Sequence, residues 1–498
     1  MSLVAKALNP SYSLLSPPEP ISITRISFTF ADSSDYNSST PQRCEASIFM
    51  AKQPLQNSRL GPLGLGLLLF FFLGPIAAPS SNWAPPNRSA PADVALEQEN
   101  PAEDVSGLPL KSTRRSIHEL ARLGVERWHE AGYAGRGIKI AILDSGFRGY
   151  RSYLGKELPS HVRVRTFRAD GDLEARNSQH GIICAEVIHR IAPEADLLFA
   201  NWDQDQPEGF LDAVRWARSL GARVFSCSLI MPSWSDGEGG GQIHATLSQL
   251  LGNGLSAESS LCFASAGNLA QRHWCGAYRA GPDGYQEWQA GQTANTLTPW
   301  SNEHVSAELY WSADADYEIR VTDRATGAEV GVSTSRCGES RHAAVVGFEP
   351  NPDHRYLVRV RQTRGLAGRF HLAALSSNLQ YSTISGSVAF PADGPEVVAV
   401  GAVDDEGRRE DYSSCGPNSV QLKPDIVAPV PFVTALRARP FGGTSAAAPQ
   451  AAALAGLWWS RHPDWSAGRV RASIIETAHD LGPRGHNWET GYGCVRLP

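Results

Sequence analysis

From about Thr113 onward, short apolar runs alternate with segments of helical spacing. Ile138–Asp144 (IKIAILD) is almost wholly apolar and ends in a carboxylate, the pattern of a strand buried on both faces of a parallel sheet. Ala195–Asn201, Ala222–Leu229, Leu261–Asn268 and Glu396–Val403 repeat that pattern. Between them, Gly209–Leu220 and Ile243–Leu251 space their apolar residues as amphipathic helices do. Strands alternating with helices predict an α/β domain, a mostly parallel sheet with helices on both faces. Ligands of such sheets bind at the carboxyl ends of the strands. That rule singles out Asp144 and Asn268, each of which closes a strand.

The rhythm changes between about Tyr285 and Leu375. Period-two alternation takes over in Val305, Ala307, Leu309 and Trp311, then Tyr317, Ile319 and Val321, then Tyr356, Val358 and Val360, then Phe370, Leu372 and Ala374. Ala325-Thr326-Gly327 and Pro350-Asn351-Pro352-Asp353 supply the turns. The pattern predicts an antiparallel β-sandwich inserted into the α/β domain. Its aromatics, including Trp288, Trp300, Trp311 and Tyr317, could bind carbohydrate or protein, but filling the sandwich core is the favoured reading.

The amino-terminal part reads differently. Leu60–Ala78 (LGPLGLGLLLFFFLGPIAA) follows Lys52 and Arg59 and exits through small residues, as a secretory signal peptide does. Its Gly and Pro punctuation and short apolar stretch suit a membrane-spanning anchor less well. Met50 opens an ordinary signal n-region, so residues 1–49 are read as a non-native extension. An organelle transit peptide is disfavoured by Asp32, Asp35 and Glu45. Residues 50–80 are then the signal peptide and 81–112, rich in Pro, Ala and acidic residues, a disordered linker too short and polar for a folded inhibitory propeptide. Residues 113–284 and 385–498 form the two parts of the α/β domain, with the sandwich at 285–384.

Composition narrows the classes. The chain has 498 residues, 42% of them hydrophobic, and a net charge of -6. That is an ordinary globular balance, and no basic run marks a nucleic-acid surface. Of eight cysteines, Cys184, Cys227 and Cys262 sit in apolar runs as small buried thiols. Cys275, Cys337, Cys415 and Cys494 lie in loop-like sequence and could pair after export. No pair has zinc-ligand spacing.

Four segments carry candidate chemistry. FGGTSAAAP (Phe441–Pro449) sets Ser445 at the start of an apolar helix, where free N–H groups and the dipole favour a nucleophile and an oxyanion. SQHGIICAEVIHRIAP (Ser178–Pro193) sets His180 at another helix start, and AILDSG (Ala141–Gly146) offers Asp144 to orient an imidazole. ASAGN (Ala264–Asn268) ends in an amide able to donate to a developing oxyanion. Each alone would be read as a cap, a turn or a structural histidine. Their chain order, Asp144, His180, Asn268, Ser445, differs from that of chymotrypsin and of the α/β-hydrolases.

Over about Ile117–Ala280 and Ser385–Pro498 the chain resembles the subtilase (S8) family of serine peptidases. GTSAAAP is similar to that family's GTSMAAP, SAGN is intact, and YSSCGP (Tyr412–Pro417) and KPDIVAP (Lys423–Pro429) match its segments before the serine. The resemblance implies a secreted (extracellular or periplasmic) endopeptidase acting on protein or peptide substrates, without a membrane anchor once the signal is removed. It implies Asp144, His180 and Ser445 as triad, Asn268 as oxyanion donor, and Ser228, Leu229, Ile230, Ala266 and Gly267 as the substrate-binding edge. The resemblance makes no cofactor certain; a structural calcium ion is common in the family, without ligands assignable here. Ile182 stands where the family has Thr, Glu186 where it has Gly, and Ile230 and Met231 fill a glycine-rich position, which implies a narrowed cleft favouring small side chains. A non-catalytic protein that binds through the inserted sandwich is the alternative. A lipase or esterase lacks its Gly-x-Ser-x-Gly elbow.

Overall fold

The structure is a computed structural model describing residues 119–498 except 176–177, 257, 313, 336–341 and 419–420. The extension, signal peptide and linker expected over residues 1–112 lie outside the described residues, as do Cys44 and Cys337. The α/β part runs α1 (Val125–Glu130), β1 (Lys139–Leu143), β2 (Val162–Phe167), α2 (His180–Ile191), β3 (Asp196–Trp202), α3 (Pro207–Ser219), β4 (Val224–Cys227), α4 (Gln242–Leu251) and β5 (Leu261–Ser265). Nine antiparallel strands follow: β6 (His273–Ala277), β7 (Asn295–Pro299), β8 (Val305–Trp311), β9 (Ala315–Asp323), β10 (Glu329–Ser335), β11 (Ala343–Phe348), β12 (Tyr356–Gly365), β13 (Arg369–Leu375) and β14 (Ser377–Leu379). Then β15 (Val397–Val403), β16 (Ile426–Pro429), α5 (Gly443–Arg461) and α6 (Ala467–Thr477) resume the α/β pattern.

The seven-stranded sheet has the order β16-β15-β5-β4-β1-β3-β2, with every pair parallel. Its strands are apolar on both faces because both faces are covered. Ile140 and Ile142 of β1 join the core beneath α2 and α5, whereas Ala141 and Leu143 join the core beneath α3 and α4. Helix α5 is buried almost all round, and its run of alanines lets it lie close to the sheet. Gly456 marks the nearest approach: a Cβ there would stand 3.0 Å from Ile140 Cδ1. β1, β4 and β5 are sheet neighbours, so their carboxyl ends bring Asp144, Ser228 and the loop to Asn268 to one edge.

The antiparallel strands form two sheets, β10-β9-β12-β7-β14 and β11-β8-β13-β6. The alternating residues read from the sequence face inward between them, Leu309, Trp311, Tyr317, Ile319, Val358, Phe370 and Leu372 being fully buried. Trp288, Trp311 and Tyr317 belong to that core. Trp300 does not: it is half-buried, with the Arg272 guanidinium 4.4 Å from its ring and its Nε1–H donating to Asn378. β6 pairs with β13, so the antiparallel sheet begins five residues after Asn268, ahead of the stretch where alternation is visible. The opposite face of that sheet docks on the α/β part, where Tyr310 and Ala373 pack with Leu269, Ala389 and Ile230.

Cys184, Cys227 and Cys262 are buried free thiols, as their apolar surroundings suggested. The disulfides considered for the loop cysteines do not form among the described residues: Cys275, Cys415 and Cys494 are free. No helix among the described residues is long and apolar enough to cross a membrane.

Candidate active site

Asp144 is the first residue beyond β1 and is fully buried. Its carboxylate lies 2.8 Å (Oδ1) and 2.9 Å (Oδ2) from His180 Nδ1. A carboxylate accepts only, so the proton sits on Nδ1 and Nε2 is left as the basic nitrogen. The Ser145 backbone N–H (2.7 Å) and hydroxyl (3.2 Å) also donate to Asp144 Oδ1. Ser178 completes the mount: its Oγ accepts the His180 backbone N–H and lies 3.1 Å from Ser145 Oγ. Gly181 is glycine for a steric reason, since a Cβ there would stand 2.6 Å from the Phe147 ring and 2.7 Å from the Gly146 carbonyl oxygen.

His180 opens α2 and keeps 22% of its side chain exposed. Burial alone would lower its pKa, but the Asp144 charge outweighs that and holds the imidazole well above the ordinary histidine value. Phe441 meets the ring edge-on, with centroids 5.7 Å apart. Cys184, one turn along α2, places Sγ 4.0 Å from His180 Nδ1 and 3.8 Å from the Ser445 carbonyl, and burial pushes its thiol pKa up.

Ser445 is the third residue of α5. The first N–H groups of a helix have no intrahelical acceptor. Here the Gly443 N–H donates to the Tyr412 hydroxyl (3.2 Å) and the Thr444 N–H to Asn268 Oδ1 (3.0 Å). Gly443 adopts φ +73°, and a Cβ there would stand 3.0 Å from Asn268 Nδ2. Pro449 lies one turn further on inside α5 and has no N–H to give the Ser445 carbonyl. Ser228 takes that place: its Oγ donates to the Ser445 carbonyl (3.1 Å), while Ser445 Oγ donates to the Ser228 carbonyl (3.2 Å). Among the described residues the Ser445 hydroxyl has no hydrogen bond to the His180 ring.

Asn268 ends the loop after β5. Its Oδ1 accepts from both the Thr444 N–H (3.0 Å) and the Thr444 hydroxyl (2.9 Å). An N–H cannot bond to another donor, so the oxygen faces Thr444 and the Nδ2 donor is turned away from it, beside Gly443. Ser414 braces the same loop: its Oγ accepts the Leu269 N–H and its N–H donates to the Gly267 carbonyl.

The expected substrate edge is split. Leu229 and Ile230 are half-buried, but Ser228 is buried and tied to Ser445. Ala266 is fully buried; its N–H donates to Val400 and its carbonyl accepts from Ala389. The bulk that the sequence places near the cleft mostly points elsewhere. Ile182 is fully buried under α5, and Met231 is buried in the core beneath α3 and α4. Ile230 alone borders Gly267, its Cγ2 3.5 Å from where a Gly267 Cβ would stand. Glu186 is buried and accepts the Ala435 and Leu436 N–H groups, anchoring the loop ahead of Ser445; burial pushes its carboxyl pKa up.

Sequence reasoning overlooked Ser178 and Thr444 as partners of the site, Ser228 as a partner of Ser445, and Tyr412 and Ser414 as individual braces. Thr444 lies within FGGTSAAAP, a segment that by itself would be read as a helix cap. Pro449 was the available signal for Ser228, because a proline inside a helix frees the carbonyl four residues earlier.

A buried carboxylate–imidazole pair, with a serine at a helix start and a fixed amide at the ends of parallel strands, defines the class of subtilisin-like folds. Residues 135–342 and 354–493 match the model of the Subtilase family, and the chain belongs to that family. It is similar to Subtilisin amylosacchariticus of Bacillus subtilis subsp. amylosacchariticus, 36% identical over 130 residues, 25% of this chain and 32% of that protein. It is similar also to Subtilisin of Bacillus pumilus, 36% identical over 115 residues, 22% of this chain and 40% of that protein. The matches thus span well under half the length of those relatives. Among solved structures, the Clostridium perfringens CspB protease shares the fold with a TM-score of 0.57 at 15% identity, over 76% of this chain and 95% of that one.

Proposed function

We propose that this protein is a secreted serine endopeptidase in which Asp144, His180 and Ser445 form the triad and Asn268 the oxyanion donor. The Asp144–His180 pair carries the reading: a buried carboxylate fixes the tautomer and leaves a basic Nε2. In the reaction Ser445 Oγ attacks the peptide carbonyl and gives its proton to His180 Nε2. His180 then protonates the leaving amine, and a water repeats the cycle in reverse to release the acyl group. Asn268 Nδ2 and the Ser445 N–H receive the oxyanion, whose negative charge develops only in the transition state. For the first step Ser445 Oγ must leave the Ser228 carbonyl and turn to the imidazole. Apo-state hydrogen bonds of this kind commonly tighten when substrate binds. Secretion rests on the apolar segment 60–78, and the narrowing of the cleft on Ile230.

The Ser445–Ser228 bond favours a second reading, a non-catalytic subtilase fold that binds partners through its sandwich. A fluorophosphonate probe separates the two. The peptidase is labelled in the wild type and not in Ser445→Ala, and its peptide-cleavage profile shows a side-chain preference. Folded wild type that takes up no label supports the non-catalytic binding reading.

A further inference from the structure

A second cluster of reactive side chains lies on the outer face of the sandwich, where it meets the α/β part. His273 and Cys275 are two apart on β6 and so share a face, and His371 of β13 stands directly across from Cys275. One ligand atom from each falls within 4.8 Å of the others. His273 and His371 are buried, and Cys275 is partly exposed.

The hydrogen bonds orient both imidazoles. His371 Nε2 faces the Glu238 carboxylate at 3.2 Å, and His273 Nδ1 faces the Thr383 carbonyl at 3.3 Å. Glu238 only accepts, so His371 Nε2 carries the hydrogen and His371 Nδ1 is an acceptor. The inner nitrogens, His273 Nε2 and His371 Nδ1, then oppose each other at 2.9 Å. In the metal-free chain the Nε2–H of a neutral His273, whose pKa burial holds well below the ordinary histidine value, can donate to the His371 Nδ1 lone pair, so the two rings already face one point between them. Cys275 Sγ lies within 4.8 Å of a ring nitrogen of each histidine, and Arg369 Nη2 donates to the sulfur at 3.0 Å. Arg369 Nε also pairs with Glu238, leaving one cation and one carboxylate facing the cluster. Imidazole nitrogens turned inward, with outer N–H groups on a carboxylate and a carbonyl, are the usual support of metal-bound histidine.

We infer that His273 Nε2, His371 Nδ1 and Cys275 Sγ form a binding site for a borderline-soft divalent ion of the zinc type. Two imidazoles and one thiolate suit that ion, and the partly exposed side of Cys275 leaves a fourth position for water. Tetrahedral ligands at about 2.0–2.1 Å place the two nitrogens roughly 3.4 Å apart, so the inner gap opens by about half an ångström on binding. Binding releases the thiol proton to solvent and moves the His273 hydrogen from Nε2 to Nδ1, toward the Thr383 carbonyl. The ion would tie β6 and β13 to the Glu238 loop, and β6 starts just beyond Arg272, whose guanidinium donates to the Asn268 carbonyl. It would thereby brace the loop that presents Asn268 without touching substrate. The site does not depend on the chain being an active peptidase.

The test uses the full chain, stripped with a chelator and titrated with Zn2+ and with Co2+ as the spectroscopic probe. The folded wild type should take up one Zn2+ per chain, raise its melting temperature, and show a thiolate-to-cobalt charge-transfer band with Co2+. Cys275→Ser should lose the band. His371→Ala should lose tight uptake. Glu238→Gln, which keeps the ring in place, should weaken affinity about 10- to 100-fold. His180→Ala distinguishes the other ligand cluster, Asp144, His180 and Cys184, and should leave uptake unchanged. Folded wild type that binds no metal overturns the inference, as does uptake that survives Cys275→Ser and is lost in His180→Ala.

Discussion

Replacing Asn268 by alanine removes the Nδ2 donor while leaving the Asp144–His180 pair, which it does not touch, intact. Removing one preorganised oxyanion donor costs about 2.7–4 kcal/mol of transition-state stabilisation, or roughly 10²–10³ in kcat. KM should hardly move, because the lost bond forms only as charge develops on the oxygen. Thr444 supplies a graded version of the same perturbation. Its hydroxyl and N–H both donate to Asn268 Oδ1, and Thr444→Val deletes the hydroxyl alone. One such bond is worth about 1 kcal/mol, so kcat should fall by about fivefold through misorientation of the amide. In the Asn268→Ala background the valine should cost nothing further, since the amide it positions is gone. Steady-state hydrolysis of a peptide substrate by the four proteins gives the cycle directly. If the two losses are additive, or if Asn268→Ala keeps kcat within about twofold of wild type, Asn268 is not the oxyanion donor and the reading fails.

Four other outcomes follow from the structure. Asp144→Asn removes the acceptor that fixes the His180 tautomer and should lower kcat by about 10⁴. Because Asp144 raises the His180 pKa and the base must be unprotonated, wild-type kcat/KM should rise with pH through a value above the ordinary 6.5; a midpoint at or below that value contradicts the pairing. Ser228→Ala strips the donor that replaces the missing Pro449 N–H at the Ser445 carbonyl, and denaturant melts should show a loss of about 1 kcal/mol. That loss should shrink in a Pro449→Ala background, where the helix regains its own donor. His244, buried between Asp393 (2.9 Å) and Glu396 (2.7 Å), is pulled down by burial but held at about 9 by the two carboxylates. Its charged form is the stabilised one, so its contribution of about 3 kcal/mol is fully present below pH 6.5 and lost as pH rises through about 9. Unfolding free energies across that range should drop for wild type and stay flatter for His244→Gln.

Hydrophobic patterning by itself determined the α/β sheet, because strands covered on both faces must read as continuous apolar runs, and Ile138–Asp144 does. It also determined the sandwich core, since Leu309, Trp311, Tyr317 and Phe370 have to alternate with polar neighbours. The residue types and their order marked Asp144, His180, Asn268 and Ser445. β6 stayed illegible, because His273 and Cys275 carry no apolar alternation and their strand is defined only by its pairing with β13. The direction of bulky side chains was illegible too: Ile182 and Met231 turn into cores and, of the three, only Ile230 borders Gly267. Periodicity reports which faces shun water, whereas convergence depends on which strands become neighbours. Ser228 meeting Ser445, Thr444 meeting Asn268 and His371 meeting His273 each join residues about a hundred or more positions apart. Only the closed sheets brought them within hydrogen-bonding reach.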